Sequence, residues 1–115
     1  MSWKYKVTKN SISCGPLTAY VVLEKDYNRV LSNKGSHSPD GFQIGYGGSG
    51  PADLAYSILH DYFQRTEFPQ SIDKQKLKQK VESFYQNFKN DFIVPAKKSL
   101  LVESGTIESW VNEQK

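Results

Sequence analysis

Apolar and polar residues alternate at the start of the chain. Trp3, Tyr5 and Val7 interleave with Lys4, Lys6 and Thr8, a period of two that predicts a half-buried strand over residues 3–8. Asn10 to Pro16 reads as a turn, punctuated by Cys14-Gly15-Pro16. Leu17 to Glu24 is rich in Tyr and Val and predicts a second strand, the hairpin partner of the first. Residues 25–41 are polar and carry Asn28, Asn33, Gly35, Pro39 and Gly41, so they read as a long loop with room for a short strand at Arg29-Val30-Leu31. Phe42, Ile44 and Tyr46 alternate again and predict a third strand over residues 42–46.

After the glycines of residues 45–50 the period changes. At about 100° per residue, Leu54, Ala55, Ile58, Leu59, Tyr62 and Phe63 share one half of a helical wheel, and Asp53, Ser57, His60 and Asp61 the other. This predicts a helix over 51–64 with a solvated polar face. Pro51 suits its first turn, where an N–H would go unpaired, and Asp53 suits the positive end of its dipole. Glu67 to Ser71, with Pro69, reads as a linker, and Ser71 as the N-cap of a second helix over 72–93. Its apolar stripe is Leu77, Val81, Phe84, Tyr85, Phe88 and Phe92, and Pro95 ends it. Ser99 to Glu103 predicts a short last strand, and Ser104 the cap of a final helix through Ile107, Trp110 and Val111. Strands come early and helices late, which favours α+β over alternating α/β. The expected architecture is a small, mostly antiparallel sheet with about three helices packed on one face, in a single domain of residues 1–115. Leu54, Ile58, Phe84, Phe88 and Trp110 are expected to share one core.

Composition narrows the classes. With 115 residues, 37% of them hydrophobic and 13% aromatic, the chain holds one domain at most and is not fully disordered. A lone cysteine, Cys14, excludes an intramolecular disulfide framework and a cysteine-rich zinc site, and leaves Cys14 as a tolerated or a reactive thiol. No apolar run approaches the ~20 residues of a membrane span, and Met1 to Tyr5 has no apolar stretch like a secretory signal, so a cytoplasmic protein without membrane partners is expected. The net charge of +3 is too small to name a partner. Oligomeric state is unreadable, since Tyr56 serves equally as a dimer contact or a solitary surface ring.

Gly45-Tyr46-Gly47-Gly48-Ser49-Gly50 matches G-x-G-x-x-G and lies between a predicted strand and a predicted helix. A dinucleotide fold requires a second parallel strand after that helix, and Thr66 to Gln70 leads into another helix instead. The spacing is also that of a P-loop, but Pro51 stands where the lysine belongs; a nucleophile elbow at Ser49 lacks its last glycine. What survives is physical: glycines let a backbone approach a ligand, and helix N-terminal amides attract anions. A tight strand-to-helix turn explains the same glycines. His37, in Ser36-His37-Ser38-Pro39-Asp40-Gly41, is an acid–base candidate or a turn-organising residue. His60, on the polar half of the wheel, reads as solvated. Two separated histidines do not make the three or four ligands of a metal site, so neither metal nor cofactor is expected. Lys74 and Lys78 fall near the edge of the apolar stripe, with Lys76 and Lys80 about 160° to 200° away. That split suits a solvated helix better than a phosphate track, although Lys89, Lys97 and Lys98 add positive charge nearby.

The run from His37 to Ala55 resembles small bacterial and phage domains of unknown function. Their signature is His-Ser-Pro, Gly-Phe and Gly-Tyr-Gly-Gly-Ser-Gly-Pro-Ala entering a helix. Tyr85-Gln86-Asn87-Phe88-Lys89 and Ile107 to Trp110 match later, weaker parts of it, and Ile44 departs where family members often carry an aromatic residue. The resemblance implies cargo of phages, plasmids, integrons and other mobile elements, and it carries over no established activity. Three functions follow as expectations. The first is a non-enzymatic binding protein using Tyr46, Gly47, Gly48, Ser49 and Gly50 together with His37, for a protein or a phosphate-bearing small molecule. The second is a small hydrolase or transferase with Ser49 as nucleophile and His37 as base. The third, less favoured, is a nucleic-acid binder through the second helix's lysines.

Overall fold

The computed structural model describes residues 3–8, 18–24, 27–31, 34–35, 42, 44–45, 47–66, 74–96 and 99–114. Strand β1 runs Lys4–Thr8, β2 Thr18–Glu24 and β3 Tyr27–Val30. Helix α1 runs Ser49–Thr66 and α2 Lys74–Phe88, continued by a π-helical turn over Lys89–Ile93; strand β4, Leu100–Glu103, and helix α3, Ser104–Glu113, follow. The strands form one antiparallel sheet in the order β3-β2-β1-β4. The fold is thus α+β, as the grouping of strands and helices implies.

Register converts the period of two into an inside and an outside. Tyr5 stands opposite Val21 and Val102, Val7 opposite Ala19, and all five are buried. The inner face merges with the helices in one cluster, to which α1 gives Leu54, Ile58 and Phe63, α2 Leu77, Val81 and Phe88, and α3 Ile107 and Trp110. Each such side chain contributes roughly 1.5–3 kcal/mol by leaving water. Of the expected core, Phe84 alone is half-buried; its ring lies edge-on to Trp110 at 6.1 Å and 5.7 Å from Phe63.

The expected strand over 42–46 is absent from the described part of that segment. Phe42 is buried and Ile44 packs on the core, but Gly45 adopts φ +88° and donates its amide to the Ile93 carbonyl at 3.0 Å. A positive φ ends extended backbone and turns the chain onto the π-helical turn. Helix α1 starts at Ser49, earlier than the wheel implied, because the Gly48 carbonyl already accepts the Ala52 amide at 3.1 Å. Pro51 then lies in the first turn, whose N–H groups have no intrahelical acceptor. The second helix changes pitch after Phe88, and the Val94 amide reaches back to the Lys89 carbonyl at 3.0 Å. Ser71 lies outside the described residues. Ser104 is not a cap: it opens α3, while its amide donates to the Trp3 carbonyl at 2.8 Å and its Oγ accepts from the Trp3 amide at 3.1 Å.

Helix α1 departs furthest from expectation. Asp53, Ser57 and Asp61 are buried and His60 is half-buried, where the wheel predicts a solvated face. The segment after β3 crosses that face. The Leu31 amide donates to the Ala19 carbonyl and the Lys34 amide to Ser57 Oγ, both at 2.8 Å. Gly35 follows so closely that an added Cβ would stand 2.8 Å from Asp53 Cγ. Tyr56 is likewise buried, its ring edge-on to Tyr85 at 5.3 Å and stacked on His60 at 6.5 Å.

Candidate functional site

The glycine-rich lead-in to α1 is described at Gly45 and Gly47–Gly50; His37, Tyr46 and Cys14 lie outside the described residues, and with them any pairing of His37 with Ser49. Gly47 and Ser49 are exposed, and a Cβ on Gly47 would meet nothing within 4 Å. The amides of this stretch divide into used and unused. Gly45 donates to Ile93 and Ala52 to Gly48, Pro51 has no N–H, and the α1 ladder begins only after Ser49 and Gly50. Because α1 starts at Ser49, Asp53 lies beyond the first turn, which holds no acidic residue, and its side chain is fully buried rather than placed at the helix start as the sequence implied.

The better-formed hollow lies further along the same face. Ser57, His60, Asp61 and Gln64 recur at i, i+3, i+4 and i+7 and so share one side of α1. Lys34 reaches them from the crossing segment, held by the hydrogen bond its backbone amide donates to Ser57 Oγ. With Val30 and Leu31 as walls, these residues enclose a cavity of about 110 Å3. Burial pushes the His60 imidazole below its ordinary pKa of 6.5, the Lys34 charge pushes it further, and Asp61 opposes both. At neutral pH the ring is therefore uncharged and offers one donor and one acceptor.

Asp61 is committed elsewhere. Tyr5 donates its hydroxyl to Asp61 Oδ2 at 2.8 Å and Arg65 Nε donates to the same oxygen at 2.6 Å. Trp3 Nε1 in turn donates to the Tyr5 hydroxyl at 2.8 Å, and the Arg65 guanidinium sits 5.9 Å above the Trp3 ring. Burial first, and the Asp61 charge second, drive the Tyr5 phenol far above its usual pKa, so it stays protonated. Asp61 lines the cavity with its Oδ2 held by Tyr5 and Arg65, and beside it stand the Lys34 ammonium, the His60 imidazole, the Ser57 hydroxyl and the Gln64 amide. That set suits an anion. It does not form a catalytic pair: among the described residues no hydrogen bond joins His60 to Ser57, whose Oγ already accepts from Lys34. Nor do three His, Cys, Asp or Glu side chains among the described residues gather as metal ligands, and no described helix is long and apolar enough to cross a membrane.

The lysines of α2 do not act as one set. Lys74, Lys76 and Lys78 are exposed, but Lys80 lies at the apolar edge, its Nζ 5.3 Å over Phe63 and 5.7 Å over Phe84. The wheel misplaced Lys80, which covers core aromatics with its stem. Lys97 and Lys98 lie outside the described residues. Sequence reasoning missed the cavity because it took the polar half of α1 as wet. One signal was present: apart from Arg65, no long charged side chain occurs in α1, whose polar positions before Gln64 are short Asp and Ser, the ring of His60 and the phenols of Tyr56 and Tyr62.

A family model described as a family of unknown function (DUF6166) matches residues 17–113, which takes in both the glycine-rich lead-in and the cavity. No curated protein and no solved structure matches the chain.

Proposed function

Since the chain belongs to DUF6166, a family of unknown function, we propose from its own geometry that it is a non-enzymatic binding protein taking a phosphate-bearing small molecule along the polar face of α1. The observation that carries this reading is the cavity of about 110 Å3 where Lys34, Ser57, His60 and Gln64 converge. It has room for one phosphoryl or carboxylate group, with the remainder of the ligand outside. Gly47 and Ser49, which are exposed, would extend the ligand surface in this reading, with His37 and Tyr46, which lie outside the described residues, as its further sequence candidates. Binding is favoured over catalysis because Asp61 Oδ2 is held by Tyr5 and Arg65 and Ser57 Oγ accepts from a backbone amide. The resemblance of residues 37–55 to mobile-element cargo supports an accessory role, and a single cysteine fits a cytoplasmic setting.

Thermal unfolding with sulfate, phosphate and nucleotides tests the reading. A ligand at 100 times its Kd stabilises by about 2.7 kcal/mol. The gain should be larger at pH 5.5 than at pH 8 for sulfate, since protonated His60 adds a charge, and Lys34→Gln and His60→Gln should each reduce it. No gain with any of these ligands contradicts a small-molecule function. Turnover of a phosphate ester that is lost in both His37→Ala and Ser49→Ala would replace binding with catalysis.

A further inference from the structure

The inner face of the sheet is covered by helices, and the outer face carries side chains that a merely solvated surface does not require. Alternation places Lys4 and Lys6 of β1 outward, between the buried Tyr5 and Val7. Register then builds a row across all four strands: Val30 opposite Tyr20, Tyr20 opposite Lys6, Lys6 opposite Leu101. Val30 and Leu101 are 60% and 58% exposed, the large hydrophobic residues most open to solvent among those described, and they stand at the two ends of this one row. Tyr20, half-exposed, lies between them beside Lys6. Lys6 faces no charge across either neighbouring strand, whereas Lys4 has Glu103 opposite.

We propose that this outer sheet face binds single-stranded nucleic acid, a ligand distinct from that of the α1 cavity, with Val30 at the border between the two surfaces. Tyr20 stacks on one base, Val30 and Leu101 support its neighbours, and Lys4 and Lys6 meet phosphates. Four strands about 4.8 Å apart span roughly 14 Å, room for two or three nucleotides. Aromatic stacking is tolerant of sequence because every base presents a π-face, and it requires an unpaired strand because a duplex hides those faces. The charges also choose among occupants: a second copy laid face to face about this row would bring the two Lys6 side chains, which face no opposing charge across the strands, toward each other, while phosphates neutralise them.

Fluorescence anisotropy of labelled ten-nucleotide dT and rU strands, titrated with the full chain at several salt concentrations, tests this. Tyr20→Ser should weaken binding about tenfold with the salt slope unchanged. The double change Lys4→Gln and Lys6→Gln should lower the slope of log K against log salt by about 1.4, at about 0.7 per phosphate contact on a single strand. Both lysines are exposed, so this variant should keep the wild-type urea midpoint. His60→Gln, in the cavity, should bind as wild type does. No anisotropy change at 50 mM salt overturns the proposal, as does equal affinity for duplex, or binding lost on replacing Lys74, Lys76 and Lys78 but retained in the sheet variants.

Discussion

Tyr5 joins the first strand to α1 through a single hydroxyl, which accepts from Trp3 Nε1 and donates to Asp61. Tyr5→Phe keeps the ring in the core and removes both bonds, so urea unfolding should show a loss of about 1–3 kcal/mol. Two glycines should respond differently to alanine. Gly35→Ala drives a methyl into Asp53 and should cost about 1–3 kcal/mol, whereas Gly47→Ala enters open space and should stay within about 0.5 kcal/mol. His60 brings a pH dependence of definite sign. Its folded pKa lies below 6.5, so the unfolded chain takes up the proton first. Its contribution to stability is therefore complete above about pH 6.5 and declines as pH falls toward the folded value. Urea midpoints between pH 5 and 8 should show this decline in the wild type and a flatter profile in His60→Gln. At this scale the sequence was least legible. Asp53, Ser57 and His60 were visible as a polar stripe, but burial depends on the segment at Lys34 and Gly35, and no local period announces that crossing.

Helix existence was legible because periods of 3.6 in α1 and α2 are long and strong. The two helices differ in what their polar faces carry: α2 bears Lys74, Lys76 and Lys78, which are exposed, while α1 bears Asp53, Ser57 and Asp61, which are buried. The alternation of Phe42, Ile44 and Tyr46 misled because three residues of period two also fit an irregular segment that drops Phe42 into the core. The decisive element there is the π-helical turn, whose Ile93 carbonyl receives both Gly45 at 3.0 Å and Ala96 at 3.3 Å. Gly45→Ala forces a side chain into φ +88° with the Ala96 carbonyl 3.0 Å from its Cβ. A loss of about 1–3 kcal/mol is expected, larger than for Gly47→Ala, and hydrogen exchange should quicken in residues 89–96 before it does in α3.

For the whole molecule, β1 organises the fold. It pairs with β2 on one side and β4 on the other, so the beginning and end of the described chain lie side by side, and Trp3 and Ser104 fasten them. Trp110 then couples α3 to the π-helical turn, its Nε1 donating to Asp91 at 2.7 Å and its ring edge-on to Phe88 at 5.3 Å. Trp110→Ala should cost about 3–5 kcal/mol and lower the unfolding midpoint of sheet and helices together. The α+β class was legible from the grouping of periods, but the position of β4 against β1 was not, since strand order is set by packing across the molecule. Two surfaces result, meeting at Val30: a polar cavity on α1 and an open sheet face bearing Lys4 and Lys6. The cavity as an anion seat is the central claim, and the titration of the His60 imidazole by NMR, with and without sulfate, tests it most directly. Sulfate holds its charge throughout the range. The imidazole should titrate below pH 6.5 in the free protein, shift upward with sulfate, and shift less in Lys34→Gln; a titration that sulfate leaves unmoved contradicts the claim.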